Sequence, residues 1–321
     1  MSADQKTTIP MSTSVYTDDS KLIPLSDLVS LVSDGDAIAV GGGLSSREPM
    51  AALRELLRAG KKRLHVIGSA HGIDIDMLCG GNAVAATWES YVGFEQDFGM
   101  APNFRRACED GSVEVHDSCC YTMVQQLRAA IAGLPFMPIR SIRGTDMMKL
   151  HPEFKTMECP FTGQELVLVP ALKPDVAIIH VQYGDEQGNL CIEGPPVADL
   201  LFAQASKKVI ATVEKIVSTE RLQELGGVSI PYFYVTALSE VPFGAHPTSC
   251  YPFYAYDRAH TNLYYTAAKA HDTFVESYLN RYVLDCRDHA EYLNRIGGPA
   301  ATERLTQWSQ GTSSWLELYK A

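Results

Sequence analysis

The sequence contains no run of about 18 apolar residues, the length a membrane-spanning helix requires, so no transmembrane segment is expected. It also lacks an excess of basic residues: 27 Lys and Arg stand against 38 Asp and Glu, a formal net charge of -11. Binding a phosphate backbone wants a basic face, which argues against a nucleic-acid partner. A small phosphorylated ligand stays open, because a few backbone N–H groups can hold one locally. None of the eight cysteines forms a CxxC pair. The chain is far larger than a disulfide-stapled scaffold, so free thiols in a reducing cytoplasm are the expectation. The vicinal Cys119-Cys120 reads as two small residues at the start of a buried helix, with a redox role as the alternative. Neither an internal repeat nor a linker-like stretch appears.

What is present is ordinary globular composition: 321 residues, 46% hydrophobic and 20% charged. Residues 1–20 are polar and rich in Ser and Thr, without the apolar run of a secretion signal. They read as a mobile arm that a partner chain could order, ahead of a single α/β domain over 21–321. Helical spacing covers Leu25 to Val32, with Ser26 and Asp27 at its start. Asp36 to Val40 is a short apolar strand ending in Gly41-Gly42-Gly43. Pro49 to Arg58 follows as a helix, with Ser45 and Glu48 in capping-box spacing. Further strands are expected at Arg63 to Ile67, Ala85 to Val92, Ser112 to His116, Leu166 to Val169, Val176 to Val181, Val209 to Val213 and Tyr232 to Leu238. Helices are expected from Pro102 to Cys108, Tyr121 to Ala132 and Val197 to Ala205. Another follows the stripe Phe274, Val275, Tyr278, Leu279 and Tyr282, closed by Gly297-Gly298-Pro299. From Gly133 to Gly163 the pattern dissolves, and a loop that long is usually functional or a contact surface.

Alternating helices and apolar strands imply an open, mostly parallel sheet with helices on both faces. Such sheets bind ligands at the carboxyl ends of their strands. That places the turns after Val40, Ile67 and Val115 on the working edge. Ser69, in Gly68-Ser69-Ala70-His71-Gly72, is positioned to donate to a substrate carboxylate, or else to bond its own turn. His71 is a candidate to assist it, with local backbone satisfaction as the alternative. Asp74 and Asp76 lack a nearby third ligand and read as helix-start residues, and no metal is expected. Glu114 and Asp117 flank His116 at a strand end, where one acid can serve as a general base; surface polarity is the competing reading. Glu214 and His246 read as structural.

The stretch Asp34-Gly35-Asp36-Ala37-Ile38-Ala39-Val40-Gly41-Gly42-Gly43 and onward to Pro49 resembles the alpha-subunit signature of family I coenzyme A transferases. That signature runs Asp-Gly, two free positions, three apolar residues, Gly-Gly-Phe and a later proline. Gly43 stands where it has Phe, and Arg47 where it has Gly. The Arg-X-Pro ending is similar to the glutaconate CoA-transferase branch. So are Gly93-Phe94-Glu95, Gly99 to Arg106, Gly133-Leu134-Pro135-Phe136, Gly184-Asp185 with Gly188-Asn189, Val213 to Val217, and Gly244-Ala245-His246-Pro247.

The resemblance implies a CoA-transferase-like fold and the alpha subunit of an enzyme moving CoA between an acyl-CoA and a carboxylic acid. The family's catalytic glutamate lies in a Ser-Glu-Asn-Gly-type segment of the beta chain, and no such segment occurs here. No nucleophile is therefore expected on this chain. Gly41, Gly42, Gly43, Ser45, Arg47, Ser69 and His71 are expected to line the substrate and CoA site, with backbone donors near Gly42 and Gly43. No permanently bound cofactor is expected, the CoA thioester being substrate. The expected partner is a beta subunit, in a cytoplasmic hetero-tetramer or hetero-octamer. Two alternatives stand beside this. One is an acyl-CoA hydrolase or ring-opening subunit using Glu114 or Asp117; the other is a non-catalytic sugar-phosphate or effector-binding module.

Overall fold

The computed structural model describes residues 20–311; the arm expected at 1–20 lies, but for Ser20, outside them. α1 (Leu25–Ser30) leads into β1 (Ala37–Val40), α2 (Met50–Arg58), β2 (Leu64–Ile67), β3 (Ala70–His71) and α3 (Ile73–Gly80). β4 (Val84–Trp88), β5 (Tyr91–Val92), the single turn α4 (Glu95–Phe98), α5 (Pro102–Glu109), β6 (Glu114–Val115) and α6 (Cys120–Ile131) follow. Pro102 opens α5 because its missing N–H is one a first turn leaves unpaired anyway. Two expected helix starts are corrected. Pro24, not Ser26, precedes α1, and α2 has no side-chain cap from Ser45, since Glu48 turns into the interior. The strand expected over Ala85 to Val92 is split at Glu89, and its second part pairs with β3.

The segment expected to be structureless holds β7 (Phe136–Ile139), α7 (Met147–Leu150) and β8 (Lys155–Glu158), and β9 (Glu165–Pro170) follows it. The three strands form an antiparallel sheet in the order β7-β9-β8, with Ile139, Phe154, Val167 and Val169 as its own small core. Pro138 disguises β7, because proline reads against a strand and is tolerated at a sheet edge.

β10 (Val176–Gly184), β11 (Leu190–Cys191), α8 (Asp199–Ala205), β12 (Lys208–Ile216), α9 (Thr219–Glu224) and β13 (Ala237–Glu240) complete the main sheet. The strand expected from Tyr232 begins only at Ala237, because Pro231 to Val235 is spent on turns. α10 (Arg258–Lys269), a π-helical stretch Val275–Leu284, α11 (His289–Arg295) and α12 (Gly298–Ser309) end the described chain. Gly297-Gly298-Pro299 opens α12 rather than closing the Phe274 stripe. Among the described residues no helix is long and apolar enough to cross a membrane.

The main sheet runs β13-β12-β10-β1-β2-β4-β6, parallel along that path, with β11 antiparallel on β10. Strand alternation sorts its two faces. Ile38, Val40, Val176 and Ile178 pack under α1, α2, α3, α10 and the π-helical stretch, while Ala39, Ala177, Ile179 and Val181 meet α6 and α8. Each fully buried Leu, Ile or Val contributes about 1.5–3 kcal/mol, so this period of two fixes the register. The edges are blunt: Leu22 bridges to Leu238 beside β13, and β6 is two residues long.

Candidate functional site

Strand order reverses at β1, which lies between β2 and β10, and that is where a doubly wound sheet opens its crevice. Here the chain fills the crevice itself. Arg47, 2% exposed, places Nη2 3.0 Å from Asp199 Oδ2 and donates to the carbonyls of Pro195 (2.8 Å) and His180 (3.2 Å). Asp199 Oδ1 accepts from Gly42 N at 3.1 Å, and Gly43 N donates to Ser46 O at 2.9 Å. The expected free backbone donors at Gly42 and Gly43 are therefore already engaged. A Cβ on Gly41 would lie 2.5 Å from Asp199 Oδ1, and one on Gly42 2.4 Å from the Arg47 carbonyl. Glycine serves close approach of the chain to itself. Arg47 has φ 53°, the left-handed region that suits the glycine of the signature.

Beside this plug lies a cavity of about 370 Å³, lined by Leu44, Ser45, Gly93, Glu95, Thr248 and Tyr256 among others. A second hollow, bounded by Leu44, Ala70, Tyr91 and Glu95, shares two of those walls. Together they form a groove past the ends of β1 and β2. Of the expected residues, Ser45 lies in its wall and Ala70 brings Ser69 and His71 alongside.

Beneath the groove is a buried acid–base array that was only partly foreseen. His71, Asp74 and Glu48 are fully buried and Glu89 is 6% exposed. His71 Nδ1 meets Asp74 Oδ2 at 2.5 Å, and Asp74 Oδ1 accepts from Gly72 N (3.0 Å) and Ile75 N (2.8 Å). Asp74 thus serves the start of α3 as expected, and it also clamps His71, which satisfies a side chain rather than the backbone. Neither oxygen of Glu89, nor His71 Nε2, has a hydrogen-bond partner among the described residues, while Glu48 lies against Asp74 and Gly72. Burial opposes charge on His71, but the Asp74 carboxylate, with Glu89 behind it, holds the imidazolium up to about 9. Burial, then the Asp74 charge, pushes Glu48 well above the usual carboxylate range. Burial pushes Glu89 up to about 8, against the pull of the His71 cation.

Glu48, His71 and Asp74 present ligand atoms within 4.8 Å of one another. His71 and Asp74 are nonetheless hydrogen-bonded directly to each other, whereas two ligands on one divalent ion at about 2.1 Å stand more than about 3 Å apart. Asp76 accepts from Tyr264 Oη (2.6 Å), Phe104 N (2.8 Å) and Asn103 Nδ2 (3.1 Å), pinning α3 to α5 and α10.

Ser69 and Ser90 face Cys120 at the first turn of α6. Partial burial would raise that thiol, and the two hydroxyls outweigh it and bring it below its ordinary value. Cys119 caps the helix, its sulfur accepting from Thr122 N, and the exposed Cys120 opens it, so the pair stands at the start of a helix with a buried face as read. Glu114 and Asp117 lie at the far edge of the sheet. The Glu114 side chain is 71% exposed and sits 3.2 Å from His116, whose ring stacks on Trp88 at 4.1 Å. The Asp117 carbonyl receives a hydrogen bond from His151. Glu214 is structural, as read: it accepts from His180 (2.7 Å), Tyr254 (2.6 Å) and Phe243 N (2.7 Å). His246 is held between Tyr292 (2.7 Å) and Asp257 (3.1 Å), the loop-holding role expected.

Residues 24–240 match the family model described as Coenzyme A transferase. The A-type subunit of glutaconate CoA-transferase from Acidaminococcus fermentans is 34% identical over 296 residues, covering 87% of this chain and 92% of that one. The crystal structure of that organism's glutaconate coenzyme A-transferase superposes with a TM-score of 0.84 at 32% identity, over 89% of this chain and 95% of the other. The cholesterol ring-cleaving hydrolase IpdA subunit of Rhodococcus jostii is 32% identical over 273 residues, covering 81% and 92% of the two chains. An uncharacterized Archaeoglobus fulgidus protein is 35% identical over 283 residues, 88% of this chain; the match spans 63% of that longer relative.

Proposed function

The chain belongs to the coenzyme A transferase family, and from that premise we propose that it is the A-type subunit of a two-chain enzyme that moves CoA from an acyl-CoA to a carboxylic acid. The observation that carries this is the similarity, over nearly the full length of both chains, to the A-type subunit of glutaconate CoA-transferase. The partner supplies the nucleophile. Its glutamate attacks the thioester carbonyl, forms a mixed anhydride and releases CoA thiolate. The thiolate then attacks the glutamyl carbonyl, giving an enzyme-bound CoA thioester and freeing the first acid. CoA passes to the incoming carboxylate in the reverse sequence. A carboxylate nucleophile keeps the activation of the thioester, so no ATP is consumed.

This chain contributes the groove wall around Leu44, Ser45 and Ala70, and the Ser69 hydroxyl as a donor to the acyl or acceptor end. Water must be kept from the anhydride, or transfer becomes hydrolysis, and docking of the partner over the groove serves that end. The Gly42 and Gly43 amides are occupied by Asp199 and Ser46 and take no part as donors. The assembly is a cytoplasmic hetero-tetramer or hetero-octamer.

A second reading is favoured by the exposed Glu114 beside His116 and by the hydrolase name of one relative: an on-chain general base directing water onto a thioester or ring carbonyl. CoA transfer from acetyl-CoA or glutaryl-CoA to dicarboxylates, assayed with this chain alone and with its partner, separates the two. Activity only in the mixture, largely retained in Glu114→Gln and Asp117→Asn, supports transfer. Activity from this chain alone, or its abolition by one of those changes, overturns it.

A further inference from the structure

We propose that Glu89 is held as an uncharged acid behind Ser69 so that a carboxylate can be bound at that strand end, and that ionising Glu89 expels the bound anion. The inference deepens the transfer reading and rests on it for the identity of the anion.

The geometry is a convergence on one point. A Cβ at Gly68 would lie 2.3 Å from Glu89 Oε1 and 2.5 Å from His71 Nε2. Both tips thus meet over the Cα of the residue preceding Ser69, within about 5 Å of each other, the span of a single bridging group. Glu89 is delivered there just past the carboxyl end of β4 in the main sheet, and His71 by β3, which follows β2 and pairs with β5. The Glu89 oxygens and His71 Nε2 have no hydrogen-bond partner among the described residues. A buried carboxylate without partners is among the costliest groups a fold can hold, so it persists there in its neutral form.

The surrounding charges close this account. His71 faces Asp74, Glu89 and, across the crevice, Asp199, which Arg47 already neutralises. Glu89 faces His71, Asp74 and the Cys120 thiol. Glu48 lies against Asp74. With His71 and Asp74 as an ion pair and both glutamic acids protonated, the array carries no net charge. Removing the Glu89 proton leaves one uncompensated negative charge at Gly68, the residue before Ser69, in surroundings that screen it poorly. Glu89 is a positioning residue: it acts on the anion through the field at Ser69.

Glu89 is pushed up to about 8, so it is half ionised at about that pH. KM for an acceptor carboxylate therefore rises about tenfold between pH 7 and pH 9, while kcat holds. Two experiments test this. In the chain alone, labelled with 13C at the glutamate carboxyls, one resonance is expected to titrate near pH 8 and to vanish in Glu89→Gln. A Glu89 resonance titrating below pH 6 overturns the proposal whatever the enzyme's reaction. In the enzyme assembled with its partner, KM for glutarate with acetyl-CoA as donor is followed from pH 6 to 9.5. Glu89→Gln is expected to flatten the alkaline rise, and His71→Gln, which removes the cation that favours ionisation, to move it to higher pH. An unchanged rise in Glu89→Gln overturns the proposal. So does a shift of the His71→Gln rise to lower pH. Absence of transfer to any acid, with Glu89 still titrating near pH 8, overturns the transfer reading and with it the anion-holding role, and leaves the neutral acid as a fact of the fold.

Discussion

Replacing Arg47 by glycine restores the residue of the family signature and tests why this chain departs from it. Two effects oppose each other. The backbone at Arg47 has φ 53°, and freeing a non-glycine residue from that region returns about 1–2 kcal/mol. Against this, the guanidinium is 2% exposed and is the cationic partner of Asp199, at 3.0 Å. Breaking a buried pair by removing one member costs about 3–5 kcal/mol, because the other charge is left uncompensated. The net expectation is a loss of about 1–4 kcal/mol, or about 1.5–6 °C in the thermal midpoint at about 2.1 cal/mol/K of unfolding entropy per residue. Urea unfolding of Arg47→Gly, Asp199→Asn and the double variant reads it directly, and the double variant should cost well under the sum of the two. A loss below about 1 kcal/mol in Arg47→Gly, or strict additivity, would refute the reasoning.

Further outcomes follow from the buried array. Gly68→Ala places a methyl against Glu89 and His71 and is expected to cost about 1–3 kcal/mol by overpacking; adding Glu89→Ala should recover part of that loss in urea unfolding, and no recovery would place the clash elsewhere. Folding raises His71 from 6.5 to about 9 and Glu89 from 4.5 to about 8, so both bind their protons more tightly when folded. Their stabilisation is complete below the unfolded values and is lost as pH rises through the folded ones. Unfolding midpoints measured from pH 6.5 to pH 9 should fall, with Glu89→Gln removing the Glu89 share of the slope, about 1.4 kcal/mol per pH unit up to pH 8.

The sheet was legible because its signals are local. The apolar run Val176 to Val181 and the glycines after Val40 announce a buried parallel strand and a turn without knowledge of anything distant. The site was legible only as an address. That Arg47 plugs the glycine turn depends on Asp199, a contact across 152 positions that no spacing rule reports. Glu48 sits in capping-box spacing and Glu89 at the end of an apolar strand, so each reads as a solvated acid until packing shows where it points. A signal for Glu89 did exist: an acid directly after Ala83 to Trp88, beside a strand-end glycine from the neighbouring strand. The edge strand through Pro138 was hidden by a residue that normally argues against strands.

The blunt edges of the main sheet restrict how another chain can join it. Strand addition needs a length of unpaired backbone to copy, and the sheet offers β6, two residues long, on one side and β13, partly covered at Leu22, on the other. A partner that docks along the main sheet must recognise it by the shape and chemistry of its side chains. Its fit is then open to adjustment one residue at a time, and the sheet itself is spared from templating unwanted neighbours.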